Sequence, residues 1–150
     1  MIRNADEAEK FAVAGDVYAL LATGEDTGGA YALVEAVVPT GGGPPPHTQA
    51  DTELFYILSG EVTFTVEDKE TIAKPGTHLR VEPGVVHSFR NNASTPARML
   101  IQTMPAGLDA YFREVGAPWD NMNNPPPLPT PEHIAALKAA APKYGINILV

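Results

Sequence analysis

Through the middle of the chain, apolar and polar residues alternate in short runs rich in β-branched and aromatic side chains, and Gly and Pro cut one run from the next. A period of two sends successive side chains to opposite faces of an extended strand. On that pattern we expect strands over residues 17–21, 31–38, 54–58, 61–66, 78–81, 87–90 and 98–104. The interruptions Ser59-Gly60, Lys74-Pro75-Gly76 and Pro83-Gly84 have the chemistry of tight turns, so the strands should follow one another as antiparallel hairpins. The pattern changes after Met104. Leu108, Tyr111, Phe112 and Val115 share one face of a short helix that Gly116 would end. The run NNPPPLPTP then reads as a stiff spacer, and Thr130 followed by Pro131 is the start signal of a second helix over residues 131–141. Residues 146–150 read as a strand or extended tail, and Trp119 as an anchor for the connector. The expected architecture is an all-β sandwich or small barrel over residues 1–104. A helical and proline-rich extension, 105–150, packs on it within a single domain.

Composition narrows what such a barrel does. With 44% hydrophobic and 19% charged residues, the 150-residue chain has the make-up of a folded domain. Its formal charge of −8 offers no basic field for nucleic acid or an anionic membrane surface. The absence of cysteine removes disulfides, thiolate metal sites and cysteine nucleophiles together. The start MIRNADEAEK lacks the basic end of a secretory signal, and the longest apolar segment, residues 11–22, is broken by Gly15 and Asp16. A cytoplasmic protein with a small-molecule partner is the expectation. A homodimer is expected too, because a small β protein gains by covering a sheet edge or an apolar outer face.

Three of the four histidines, His47, His78 and His87, fall in the strand-rich centre. His47 and Gln49 share a strand face, Glu53 follows after a short irregular stretch, and His87 lies just beyond the Pro83-Gly84 turn on an adjacent hairpin. His47, Glu53 and His87 would form a two-histidine, one-carboxylate set with open positions, the donor type of non-haem iron sites. The direction of His78, into the barrel or out, is left open. His133, beside Glu132 on the second helix, is read as a solvated surface group, and Glu82 as an exposed turn residue.

The spacing around these residues is more specific than their number. The run from Gly41 to Gly60, GGGPPPHTQADTELFYILSG, resembles the first motif of the cupin superfamily: glycine, five residues, His, one residue, His, three or four residues, Glu, six residues, glycine. The run from Gly76 to Asn91, GTHLRVEPGVVHSFRN, resembles the second, with Gly76, Gly84, His87 and Asn91 in their places. Two positions depart from the pattern. Gln49 stands where the first motif has its second histidine, and Glu82 where the second has proline. An amide carbonyl is a weaker donor than imidazole toward transition metals, so affinity should fall without vanishing.

The resemblance implies a jelly-roll barrel, the double-stranded β-helix, with a divalent transition metal (Fe, Mn, Ni, Cu or Zn) between its sheets. By position His47, Glu53 and His87 would be ligands and Gln49 a weak or supporting one. The length and proline-rich helical tail look most like small quercetin dioxygenase-like cupins. That implies an oxygenase of enolic, flavonoid-like or polyketide-like compounds, with Glu53 as ligand and proton acceptor and with Phe55, Phe89 and Met104 as apolar substrate walls. A metal-assisted isomerase, cyclase or lyase, and a non-catalytic binding cupin with a decayed site, are the alternatives.

Overall fold

The computed structural model describes residues 1–150. Twelve strands form it: β1 (Lys10–Val13), β2 (Asp16–Ala22), β3 (Ala32–Val38), β4 (His47–Gln49), β5 (Thr52–Ser59), β6 (Val62–Val66), β7 (Lys69–Ala73), β8 (His78–Val81), β9 (His87–Arg90), β10 (Ala97–Met104), β11 (Ala117–Trp119) and β12 (Ile146–Ile148). Helices α1 (Gly24–Thr27), α2 (Leu108–Val115) and α3 (Pro131–Ala140) complete it. A seven-stranded sheet, β11-β1-β2-β3-β10-β5-β8, and a five-stranded sheet, β12-β4-β9-β6-β7, enclose the core. All pairings are antiparallel. This is the expected jelly roll with two C-terminal helices, and no helix is long and apolar enough to cross a membrane.

Alternation holds wherever one sheet face meets the core. On β5 Glu53, Phe55 and Ile57 are buried while Tyr56 and Leu58 are exposed; on β10 Ala97, Met99, Ile101 and Thr103 are buried. Phe55, Phe64 and Phe89 meet in tilted and edge contacts with ring centroids 4.9–5.9 Å apart, and each buried ring contributes roughly 1.5–3 kcal/mol through its area. The same core runs without a break into Leu108, Tyr111 and Phe112 of α2 and Leu137 of α3. The Tyr111 hydroxyl donates to the Leu137 carbonyl at 2.8 Å and ties the two helices together.

Strands β1, β7 and β11 escape the periodic pattern, β11 because three residues are too few to show a period. In β1 all four residues are buried, so nothing alternates, and the Gly15-Asp16 break is the turn and start of a hairpin. Ala14 and Gly15 both take positive φ (52° and 92°), as a two-residue hairpin turn demands. The outermost strand of the five-stranded sheet, β7, is exposed at every residue but Ala73 and so carries no buried face to read. α1 is also absent from the periodicity, being a single turn closed by a capping box between Thr23 and Asp26. β2 is an interior strand between β1 and β3, and therefore offers no edge to a second copy.

Trp119 joins β11, pairs with Lys10 of β1 and packs beside Val17, Val37 and Met122, while its indole N–H donates to the Asn124 carbonyl. His133 is not a free surface group. Its Nε2 accepts the Ala14 amide N–H at 3.0 Å, so a helix side chain satisfies the backbone of a strained hairpin turn. His78 lies exposed opposite Tyr56, on the outer face of the sheet, and Glu82 is exposed and paired with Arg80.

Candidate metal centre and its cavity

The two sheets bring three donors together from different strands. Strand period sends both His47 and Gln49 of β4 inward. β9 pairs with β4 so that His87 stands directly opposite His47, ring centroids 4.2 Å apart. Glu53 comes from β5 in the facing sheet, its Oε1 2.9 Å from His87 Nε2. One ligand atom from each of His47, Glu53 and His87 lies within 4.8 Å of the others. A glycine makes the approach feasible. Gly43, in the loop before β4, holds φ 123°, and a Cβ there would lie 2.0 Å from the Phe89 carbonyl oxygen of β9.

Hydrogen bonding fixes which ring atoms face inward. The Nδ1–H groups of His47 and His87 donate to the carbonyls of Pro45 and Val85, each at 2.9 Å, which turns both Nε2 atoms inward. Gln49 Nε2 donates to Asp51 at 3.3 Å, which turns its carbonyl oxygen toward His47 Nε2, also at 3.3 Å. His87 Nε2 donates to the Glu53 carboxylate at 2.9 Å when the ring is protonated; without that proton, two imidazole lone pairs, a carboxylate oxygen and an amide oxygen lie together with no donor among them. Such a cluster is stable only with a proton or a cation inside it.

The titration of the two rings divides accordingly. Burial, and then the neighbouring His87, push the His47 imidazole down. Burial pulls His87 in the same direction, but the hydrogen bond and charge of Glu53 outweigh it, so His87 is raised. Burial, and then the charge of Glu53, push Asp51 up to about 7. Once His87 gives up its proton, the set of two imidazole nitrogens, a carboxylate and an amide oxygen suits a divalent transition ion, and the inward-facing Nε2 atoms fit it.

A cavity of about 190 Å³ opens beside this cluster and is lined by His47, Gln49 and Glu53. Its walls are mostly apolar. Phe89 is among them, with Ile101, Phe112 and Ile148, and helices α2 and α3 with β12 close one side. Of the three residues expected as substrate walls, Phe89 alone lines this space. Phe55 is buried one layer deeper, its ring 6.4 Å from that of His87. Met104 falls out of phase with the inward-facing Ile101 and Thr103 of β10 and turns away.

Sequence reasoning left out Asp16 and Tyr18 of β2, which line the same cavity, and Thr103, which stands next to Glu53 across the β5–β10 pairing. The sequence carries no signal for the first two, because β2 is buried on both faces and shows no alternation. The Thr103 hydroxyl is buried without a hydrogen-bond partner.

Comparison with known proteins agrees with the geometry. A family model described as Cupin domain matches residues 34–103, which contain all four converging donors. Quercetin 2,3-dioxygenase of Bacillus subtilis is 27% identical over 115 residues, 76% of this chain but 34% of the length of that enzyme. The chain thus spans about a third of that relative. Among solved structures, a predicted oxalate decarboxylase from Thermotoga maritima superposes with a TM-score of 0.64 at 22% identity, covering 70% of this chain and 99% of that one. The polyketide cyclase RemF from Streptomyces resistomycificus does so at 0.62 and 20% identity, covering 69% and 79%. At these identities the two structures establish the fold.

Proposed function

We propose that the chain, a small protein of the cupin superfamily by its fold, its family match and its distant dioxygenase relative, is a metal-dependent oxidoreductase, a dioxygenase of small enolic organic compounds. The observation that carries this reading is the grouping of His47, Glu53 and His87, one ligand atom of each within 4.8 Å of the others, with the Gln49 carbonyl oxygen 3.3 Å from His47 Nε2. The likeness to a quercetin 2,3-dioxygenase supports oxygenation as the chemistry. A bound divalent ion would polarise the enolic oxygen and, if redox-active, share electrons with molecular oxygen.

The protein supplies the rest. Glu53, buried and hydrogen-bonded to His87, accepts the enol proton, and His87 shares the charge. The apolar walls formed by Phe89, Ile101 and Phe112 keep water from the reacting carbon. Gln49 in place of a histidine leaves a weaker donor and a more exchangeable ion. Outside the site, the exposed Tyr56 and Leu58 on the outer sheet face support pairing of two copies. A cytoplasmic location belongs to the same reading.

Metal analysis of the purified chain after incubation with Fe(II), Mn(II), Ni(II), Cu(II) or Zn(II) tests the site. We expect near one ion per chain, tighter retention in Gln49→His, and loss of at least ten-fold in affinity in Glu53→Ala and His87→Ala. Equal occupancy in all four proteins would reject these side chains as ligands. Oxygen uptake with small enediol substrates separates dioxygenation from a cyclase or lyase reaction, which would turn over under nitrogen.

A further inference from the structure

The cavity has a second polar feature. Asp16, 1% exposed, and Tyr18, 5% exposed, project from β2 into a mostly apolar wall that also carries His47, Gln49, Glu53 and Lys138. The Tyr18 hydroxyl donates to Asp16 Oδ2 at 3.2 Å, and the ring of Tyr18 stacks on Phe112 with centroids 4.1 Å apart. The other carboxyl oxygen, Oδ1, has no hydrogen-bond partner. It lies against Gly42, where a Cβ would come within 2.5 Å of it, so the glycine loop leading to His47 is shaped around this carboxyl.

A buried carboxyl with one unsatisfied oxygen costs stability, and proteins keep such groups where they are used. Burial pushes Asp16 up to about 7, against the opposing pull of the Tyr18 hydroxyl and the Gly43 amide. Burial, and then Asp16, raise the Tyr18 phenol well above its usual range, so it keeps its proton and stays hydrogen-bonded to the carboxyl. Donation to a carboxylate makes the phenol oxygen a better acceptor for a third group. In the sheet order β2-β3-β10-β5, Asp16 and Tyr18 stand three strands from Glu53, roughly 14 Å across the sheet before the side chains lean inward.

We propose that Asp16 and Tyr18 form a second binding subsite, which receives a hydroxyl of a compact ring compound whose other oxygen meets the His47–Glu53–His87 cluster. The proposal rests on the reading of that cluster as the metal centre and specifies the substrate class. The ligand is uncharged, carries a hydrogen-bond donor at each end and has about one ring. An apolar cavity of about 150 Å³ takes benzene, and the 190 Å³ here leaves room for little more than ring substituents. The phenol oxygen of Tyr18 accepts the distal hydroxyl, and Asp16 orients and polarises that phenol.

The test measures affinities of the metal-loaded chain for resorcinol, 3-methoxyphenol and phenol by calorimetry or ligand-observed NMR. We expect resorcinol to bind at least ten-fold more tightly than 3-methoxyphenol, which lacks the second donor. Tyr18→Phe should bring the two within about two-fold of each other, whereas a merely structural role would weaken both alike and keep their ratio. Asp16→Asn, which keeps a neutral acceptor beside Tyr18, should lower the ratio in part. A ratio near one in the parent protein, or a full ratio in Tyr18→Phe, overturns the subsite; a full ratio in Asp16→Asn alone overturns the part given to Asp16. Metal content of the same samples is read independently. A chain that discriminates the probes without holding an ion keeps the subsite and loses the metal reading, and a chain that holds an ion without discriminating does the reverse.

Discussion

Asp16 has a cost that can be titrated apart from any ligand. Its carboxyl stands at about 7 in the folded protein against an ordinary value of 3.8, chiefly because burial disfavours the charge. Between those two values the folded state holds a proton that the unfolded chain has released. Stability therefore falls as pH rises through this window, and the penalty is complete above about 7. Asp16→Asn removes that term. Against the parent, the variant should gain roughly 1–3 kcal/mol between pH 4 and pH 8 in chemical denaturation. A constant difference across that range would mean that the carboxyl is not buried as described. Asp51, also raised to about 7, keeps a similar slope in both proteins and cancels from the comparison. At this scale His47, Glu53 and His87 are legible in the sequence because their spacing within two motifs is specific. Asp16 and Tyr18 are not, because two residues on one strand do not say which cavity that strand faces.

At the scale of elements, the site depends on how β4 is held. Only three residues long, β4 has β9 on one side and β12 on the other, with Ile148 opposite His47 and Ile146 opposite Gln49. The β4–β9 pairing is not legible from turn chemistry: Ser59-Gly60, Lys74-Pro75-Gly76 and Pro83-Gly84, expected to close hairpins, each carry the chain from one sheet to the other, because β5 and β8 belong to the seven-stranded sheet and β6, β7 and β9 to the five-stranded one. The β4–β12 pairing joins segments about a hundred residues apart, and periodicity carries no information on which strand such a tail finds. β1 and β7 are missed for opposite reasons, one buried on both faces and the other exposed on both. The loop into β4 offers a clean test of the approach. Gly41 and Gly43 both take positive φ, 81° and 123°, but a Cβ on Gly41 meets nothing within 4 Å while one on Gly43 would lie 2.0 Å from the Phe89 carbonyl oxygen. Gly41→Ala should cost about 1 kcal/mol, from backbone strain alone. Gly43→Ala should cost about 3 kcal/mol or more, and should weaken metal binding by parting β4 from β9. Equal losses in thermal denaturation would show that the loop yields freely.

For the whole molecule, the remaining question is what covers the outer face of the seven-stranded sheet. One end of that face is closed by the chain itself, where Trp119 and Met122 pack on Val17, Ala19 and Val37. The other end leaves Tyr56 at 43% and Leu58 at 40% exposure, with Leu54, Leu33 and Leu100 half-buried beside them. β8, at that edge, carries His78 and Arg80, and β7, at the edge of the other sheet, carries Lys69 and Glu70. Polar side chains of this kind discourage strand addition. Pairing of two copies should therefore go face to face through β5 and β10 rather than by extending a sheet. Each copy carries a formal charge of −8, so the apolar contact works against mutual repulsion. Screening that repulsion should strengthen the dimer as sodium chloride is raised from about 20 to about 200 mM, where the Debye length shortens from roughly 20 Å to under 10 Å. Sedimentation velocity should then show a dimer whose dissociation constant falls with salt, and Leu58→Lys should give a monomer that binds metal as the parent does. A parent protein that stays monomeric at every salt concentration would show that this face is left to solvent.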